Sequence, residues 1–241
     1  MKIISTDGIV VSSIPFKESS RIINILTKDM GIVGCIVKGC KSLKSKLRLP
    51  SEKFTYGTFH FYYKENGLST LIEADIKNYF INIKSDIMRI SYMSYLCELA
   101  TNVFKESNNS EVYDILINAL IKIEDGFDSK IITNIVEMQY LNYIGISLCL
   151  DSCVNCGSTK VVTLSTSRGG YICSNCRNSE PILDGKILKL LRLYNYVDIS
   201  KISNLDIDSE VSNAIDRIIS EYYEDYSGVT VKSKKFLKEI E

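Results

Sequence analysis

Two C-x2-C pairs, Cys153/Cys156 and Cys173/Cys176, stand sixteen residues apart. That spacing lets four thiolates converge on one Zn²⁺ in tetrahedral geometry, each pair folding into a tight turn around the ion. The first pair reads C-V-N-C-G, and Gly157 supplies the backbone freedom such a turn needs. Four thiolates leave no open coordination position for a substrate or an activated water, so the expected ion is structural. Between the pairs the only cations are Lys160 and Arg168. A DNA-reading finger presents a basic recognition helix, and this loop has none. The metal is therefore expected to replace a hydrophobic core in a small inserted module.

A second constellation lies far upstream. The stretch K-G-C-K-S-L-K-S-K-L-R holds Lys38, Lys41, Lys44, Lys46 and Arg48, with no acidic residue between Asp29 and Glu52. Gly39 and the small or polar spacers predict a mobile loop after a strand. Such a loop can lay cations along a phosphate backbone and release condensed counterions. Five contacts on a single strand correspond to a log–log salt slope of roughly −3.5. Lys17 and Arg21, on either side of a turn, extend this candidate DNA-binding surface. The plainer reading of the same charges is a solvated basic loop.

Catalytic signals are sparse. The sole histidine, His60, sits in an aromatic, strand-like run and reads as structural. No Walker A, G-x-G-x-x-G, G-x-S-x-G or H-E-x-x-H sequence occurs. Enzymatic activity is not expected. Of the aromatics Phe54, Tyr56, Phe59, Phe61, Tyr62 and Tyr63, alternation sends about half inward to a core. One or two outward rings remain to stack on bases.

The formal net charge is zero, which by itself argues against a nucleic-acid partner. The average hides a segregation. Residues 1–80 carry 12 Lys/Arg against 7 Asp/Glu, whereas residues 81–150 carry 5 against 9. Positive charge is thus concentrated at the N-terminal end, as a polyanion-binding face requires. The first residues lack the basic and apolar regions of a signal peptide, and no apolar run approaches a membrane span. A reducing, cytoplasmic setting follows, with Cys35, Cys40, Cys97 and Cys149 expected as buried free thiols.

Residues 1–80 read as strands: Ile9–Val11, Ile22–Leu26, Ile32–Val37, Phe54–Tyr63 and, after the turn Lys64–Gly67, Leu68–Ala74. Five short strands suit a small barrel, OB-like or SH3-like. From residue 81 the period becomes helical, with starts at Asn109-Ser110, Asp128-Ser129 and Asp208-Ser209 and a stop at Gly145. The expectation is an α+β chain. Residues 1–80 form a small nucleic-acid-binding β-barrel, OB-like or SH3-like, residues 81–241 a helical domain, and residues 150–180 a four-cysteine zinc module inserted within it.

In this order the parts resemble the RecO family of bacterial DNA repair and recombination mediators. The similarity runs through "GIVVSSIPFKESSRIINILTKDMGIVGCIVKGCKSLKSK" and then Gly145, Leu150, Cys153, Cys156 and Gly157. It continues at Ser165, Gly169, Gly170, Cys173 and Cys176, and ends on Lys232-Ser233-Lys234-Lys235-Phe236-Leu237. The loop is Lys-rich where relatives are often Arg-rich, and Leu148 stands where they often have Pro. The resemblance implies an N-terminal OB fold, a helical domain and one structural Zn²⁺ on the four cysteines. It further implies binding of single- and double-stranded DNA and annealing of complementary strands. The implied partners are RecR, single-strand-binding protein and, indirectly, RecA, in a nucleoid-associated setting without a membrane. By position, Lys38 and Lys41 fall where the family has basic residues, and Arg21 shares their surface. The alternative is a zinc-stabilised protein-interaction scaffold with incidental polyanion affinity; an RNA-binding barrel is a third reading.

Overall fold

A computed structural model describes residues 2–228 and 231–240, which fall into two compact units divided between Ile117 and Asn118. In the first unit, β1 (Lys2–Phe16), β2 (Ser20–Thr27), β3 (Gly31–Val37), β4 (Tyr56–Tyr63) and β5 (Ser69–Asn78) close into a barrel of order β1-β2-β3-β5-β4. β1 serves two neighbours. Residues 2–9 pair with β4, residues 8–16 pair with β2, and a bulge falls between Val10 and Ser12. Gly8 sits where the two pairings meet, and a Cβ there would lie 2.5 Å from Ile25 Cγ2, so the corner needs glycine. The only parallel pairing described in the barrel joins β3 to β5, at Cys35–Ser69 and Ile36–Thr70. This Greek-key closure decides for the OB-like alternative over the SH3-like one.

Alternation along the strands builds the barrel core. Ile23 and Ile25 of β2, Val33, Cys35 and Val37 of β3, and Phe59 and Phe61 of β4 all point inward. Burial pushes the Cys35 thiol up to about 12, as expected of an inert small hydrophobe. After the barrel, the apolar run that reads as one helix is divided into α1 (Ile81–Lys84) and α2 (Ile87–Ser107). Asp86 makes the division, because its carboxylate accepts from the Met88 and Arg89 N–H groups and caps α2. α3 spans Glu111–Glu124.

The second unit contains α4 (Ser129–Tyr140), the hairpin β6 (Val161–Ser165) and β7 (Gly170–Cys173), then α5 (Gly185–Tyr196), α6 (Ser209–Tyr222) and α7 (Lys232–Ile240). Asp128, Asp184 and Asp208 cap α4, α5 and α6 through their carboxylates. Residues 131–140 of α4 are buried on every side, marking α4 as the helix the others cover. Even Glu137 is buried, held by Lys234 Nζ of α7 at 2.7 Å. Gly145 has φ of +76° but lies beyond the end of α4 at Tyr140, within a succession of turns. Among the described residues, no helix is long and apolar enough to cross a membrane.

Candidate metal centre and nucleic-acid interface

The hairpin β6–β7 delivers Cys173 at the end of its second strand, and Cys176 follows in the next turn. The first pair is brought alongside by backbone pairing: Cys149 N donates to Gly169 O, and Tyr171 N to Cys149 O, both at 2.9 Å. Gly170 makes this approach possible, since a Cβ there would lie 2.4 Å from the Cys149 carbonyl. Each pair is a hydrogen-bonded turn, with Gly157 N donating to Cys153 O at 2.8 Å and Cys176 N to Cys173 O at 3.2 Å. Gly157 has φ of +73°, as the C-x2-C-G pattern anticipates.

The four Sγ atoms all lie within 4.8 Å of one another, and those of Cys156 and Cys173 are 3.6 Å apart. Metal–thiolate bonds of about 2.3 Å give a tetrahedral S···S edge of about 3.8 Å. The cluster therefore fits a single tetrahedral ion. Its proton chemistry points the same way. Burial opposes ionisation of Cys153, but N–H groups of Cys173, Asn155 and Cys156 outweigh it and bring the thiol to about 6. Cys176 is pushed up to about 12, chiefly by hydrogen bonds with Cys156 and Cys173. The Cys153 thiolate forms readily and opposes ionisation of Cys156 and Cys176, an opposition that a dication removes.

Around the cysteines the contacts are structural. Arg168 pairs with Glu180 and donates to the Cys176 carbonyl at 3.0 Å, pinning the second turn. Glu180 is held at about 2 by its own and the Asn178 N–H groups and by Arg168. Asp151 accepts from Arg192 Nε at 2.8 Å and from the Tyr196 hydroxyl at 2.9 Å, anchoring the module on α5. Cys149 departs from the expectation of a buried thiol. Cys149 is exposed, because the bridge to Gly170 uses its backbone and leaves its side chain outward. Cys35, Cys40 and Cys97 are buried as expected.

The upstream cations occupy one continuous construction. Lys17 lies in the β1–β2 turn, and Lys38 to Arg48 lie in the β3–β4 connection. That connection is not the open loop its composition predicts. Successive turns are closed by Ser42 N to Gly39 O, Ser45 N to Ser42 O and Arg48 N to Ser45 O, and Cys40 and Pro50 are buried along it. Lys41 N donates to Ser19 O at 3.1 Å and Lys41 Nζ to Lys17 O at 2.8 Å, so the connection is tied to the β1–β2 turn. Lys17, Lys38, Lys44 and Lys46 are exposed, while Lys41 and Arg48 are half-buried. Arg21 differs from the rest: its guanidinium pairs with Glu52 and donates to the Ser51 carbonyl. Of the aromatics, Phe54, Phe59 and Phe61 are buried, Tyr56 stacks on Phe80, and Tyr62 is exposed. His60 is spoken for by Asp75, at 3.1 Å.

Two family models cover this architecture: "Recombination protein O N terminal" matches residues 1–80 and "Recombination protein O C terminal" matches residues 84–235. The chain belongs to the RecO family. Curated relatives agree along nearly the whole length. The DNA repair protein RecO of Listeria monocytogenes serotype 4a (strain HCC23) is 33% identical over 240 residues, covering 98% of this chain and 94% of the relative. That of Bacillus pumilus (strain SAFR-032) is 32% identical over 244 residues, covering 99% and 95%. That of Halalkalibacterium halodurans is 31% identical, covering 98% and 94%.

The RecO N-terminal match holds all seven candidate cations, and the RecO C-terminal match holds all four cysteines. The supporting residues Glu52, Ser51, Glu180 and Asp151 belong to no motif in the sequence. Glu52 carries the one available signal, as the acid that ends an acid-free run. Glu180 and Asp151 leave none, because their partners are set by how the hairpin folds.

Proposed function

We propose that this RecO-family chain acts in DNA repair by binding single- and double-stranded DNA on the barrel's basic surface and annealing complementary strands. With RecR, it helps load RecA onto strands coated by single-strand-binding protein. The reading assigns DNA to residues 1–80, the helical part 81–241 to protein partners, and the segment 150–180 to stabilisation by one Zn²⁺ on Cys153, Cys156, Cys173 and Cys176. It is a non-enzymatic role in the cytoplasm.

The observation that carries the reading is the tie between Lys41 and the Lys17 carbonyl, 2.8 Å long, which fastens the lysine-rich β3–β4 connection to the β1–β2 turn of an OB-like barrel. OB barrels use the β1–β2 loop, among others, to bind oligonucleotides. Ammonium groups on a fixed surface hold a phosphate backbone by counterion release and read no sequence. Neutralising both strands at one surface lowers their mutual repulsion, and base pairing then supplies the specificity. Arg21 enters with a different part: paired with Glu52, it holds the surface together more than it adds free charge. The metal stabilises the inserted module and takes no step in the reaction.

The test is a strand-annealing assay on the full chain with Lys38, Lys41, Lys44 and Lys46 replaced by Glu. Loss of annealing with the fold intact is expected. Unchanged annealing and unchanged salt dependence would leave the protein-interaction scaffold as the better account.

A further inference from the structure

Among the large apolar side chains described as exposed, Leu43 is the most exposed, at 82%. A solitary surface leucine is ordinary and needs no explanation. Leu43 is distinguished by where it is held. It lies on the turns closed by Ser42 N to Gly39 O at 3.4 Å and Ser45 N to Ser42 O at 3.1 Å. The base of those turns is fixed by the buried Cys40 and by Lys41 N donating to Ser19 O. Lys41 and Lys44 flank it, in a stretch with no acidic residue from 30 to 51. A second exposed leucine, Leu49 at 57%, belongs to the same connection.

We propose that Leu43 is a base-contacting wedge: while neighbouring lysines hold phosphates, its side chain packs against the faces of unpaired bases. The inference rests on the DNA-binding reading above and adds what gives the surface a preference for single strands. An isobutyl group has no donor or acceptor, so it gains by covering base faces and reads no base identity. Leucine is among the apolar side chains that proteins insert between base steps. In a duplex those faces are already covered by stacked neighbours, and opening a step costs a few kcal/mol; a single strand opens for less. Single-strand-binding barrels commonly meet this need with aromatic platforms. Here Phe54, Phe59 and Phe61 are committed to the core and Tyr56 to Phe80, and the exposed ring of Tyr62 belongs to β4, not to the connection that carries the lysines. Once two strands pair, the bases turn toward each other and the leucine contact is lost, so the product is held more weakly than the substrate.

The experiment compares the full chain with Leu43→Ser and Lys44→Gln on three probes at one salt concentration. The probes are a mixed-sequence single strand, an abasic deoxyribose-phosphate strand of equal length, and the duplex. Leu43→Ser is expected to weaken binding to the normal single strand about fivefold, the effect of one modest apolar contact. It should leave the abasic strand, the duplex, the salt slope and the melting temperature unchanged. Lys44→Gln is expected to weaken all three probes and to reduce the single-strand slope by about 0.7. If Leu43→Ser binds the single strand like the parent while Lys44→Gln is weaker, the wedge is wrong and the basic surface stands. If Leu43→Ser weakens all three probes equally, Leu43 shapes the turn and does not touch bases, which also overturns the proposal. If Lys44→Gln changes nothing and Leu43→Ser changes nothing, both the surface and the wedge fall.

Discussion

The Arg21 guanidinium lies 3.2 Å from a Glu52 carboxylate oxygen, and its Nη1 also donates to the Ser51 carbonyl at 3.4 Å. Ser51 O accepts in addition from the Ser13 hydroxyl at 2.6 Å, so β1 and β2 both grip the end of the β3–β4 connection. Arg21, which reads in the sequence as one more phosphate-binding cation, thus also fastens the end of the β3–β4 connection to β2.

Removing either half of this pair separates the two roles. The groups are partly exposed, at 25% and 46%, so Arg21→Ala and Glu52→Gln should each cost no more than about 1 kcal/mol, read as a small drop in melting temperature. Their effects on DNA should be opposite in sign. Arg21→Ala weakens binding, whereas Glu52→Gln removes the one acid of the segment and tightens binding about twofold at low salt. Titration of both variants against a fluorescent single strand checks this; weaker binding by Glu52→Gln would count against it.

Asp7 makes the barrel acid-sensitive. Partial burial pushes its carboxyl upward, but hydrogen bonds from Lys77 and Thr58, both 2.6 Å long, outweigh burial and hold it below its usual value. A carboxyl depressed in the folded state contributes stability above the unfolded value, near 3.9, which is lost as pH falls through the folded one. Melting temperature followed from pH 6 to pH 3 should therefore fall more steeply for the parent than for Asp7→Asn. Parallel curves would show that Asp7 adds nothing.

One zinc ion per chain is expected from metal analysis, and cobalt substitution should give the absorption of a tetrahedral tetrathiolate. Chelation should lower the melting temperature and leave annealing by the still-folded barrel intact. Annealing lost on chelation with the barrel folded would contradict a purely structural metal.

Gly170→Ala tests how the module closes. Its Cβ would meet the Cys149 carbonyl at 2.4 Å, a backbone atom that cannot swing aside, so a loss of about 1–3 kcal/mol and weaker metal retention are expected. Gly157→Ala should be milder at close range, since nothing lies within 4 Å of that site, and should show only the strain of φ at +73°.

Some of this was legible in the residues and some was not, for physical reasons. C-x2-C spacing is local, so the metal cluster follows from chain geometry alone. The runs at Ile22–Leu26 and Ile32–Val37 announce strands because β-branched residues alternate into one core. The first half of β1 does not, because Lys2, Ser5, Thr6 and Asp7 are polar and the strand is fixed by pairing with β4, far along the chain. The break at Asp86 hides within a continuous isoleucine period, and only its capping bonds reveal it. Composition made the segment 38–48 look loose, whereas its backbone bonds and the buried Cys40 are tertiary facts. α7 reads in the sequence only as a family signature, since its hold on α4 runs through the pair Lys234–Glu137, 97 residues apart.

The claim on which the account rests is that Lys38, Lys41, Lys44, Lys46 and Arg48 of the β3–β4 connection hold a phosphate backbone. The salt dependence of single-strand binding tests it most directly, measured for the parent chain and for a variant with Lys38, Lys41, Lys44 and Lys46 replaced by Gln. Five contacts predict a log–log slope of roughly −3.5 for the parent, and loss of four should reduce its magnitude by about 2.8. Equal slopes for the two proteins, with both folded, would contradict the account.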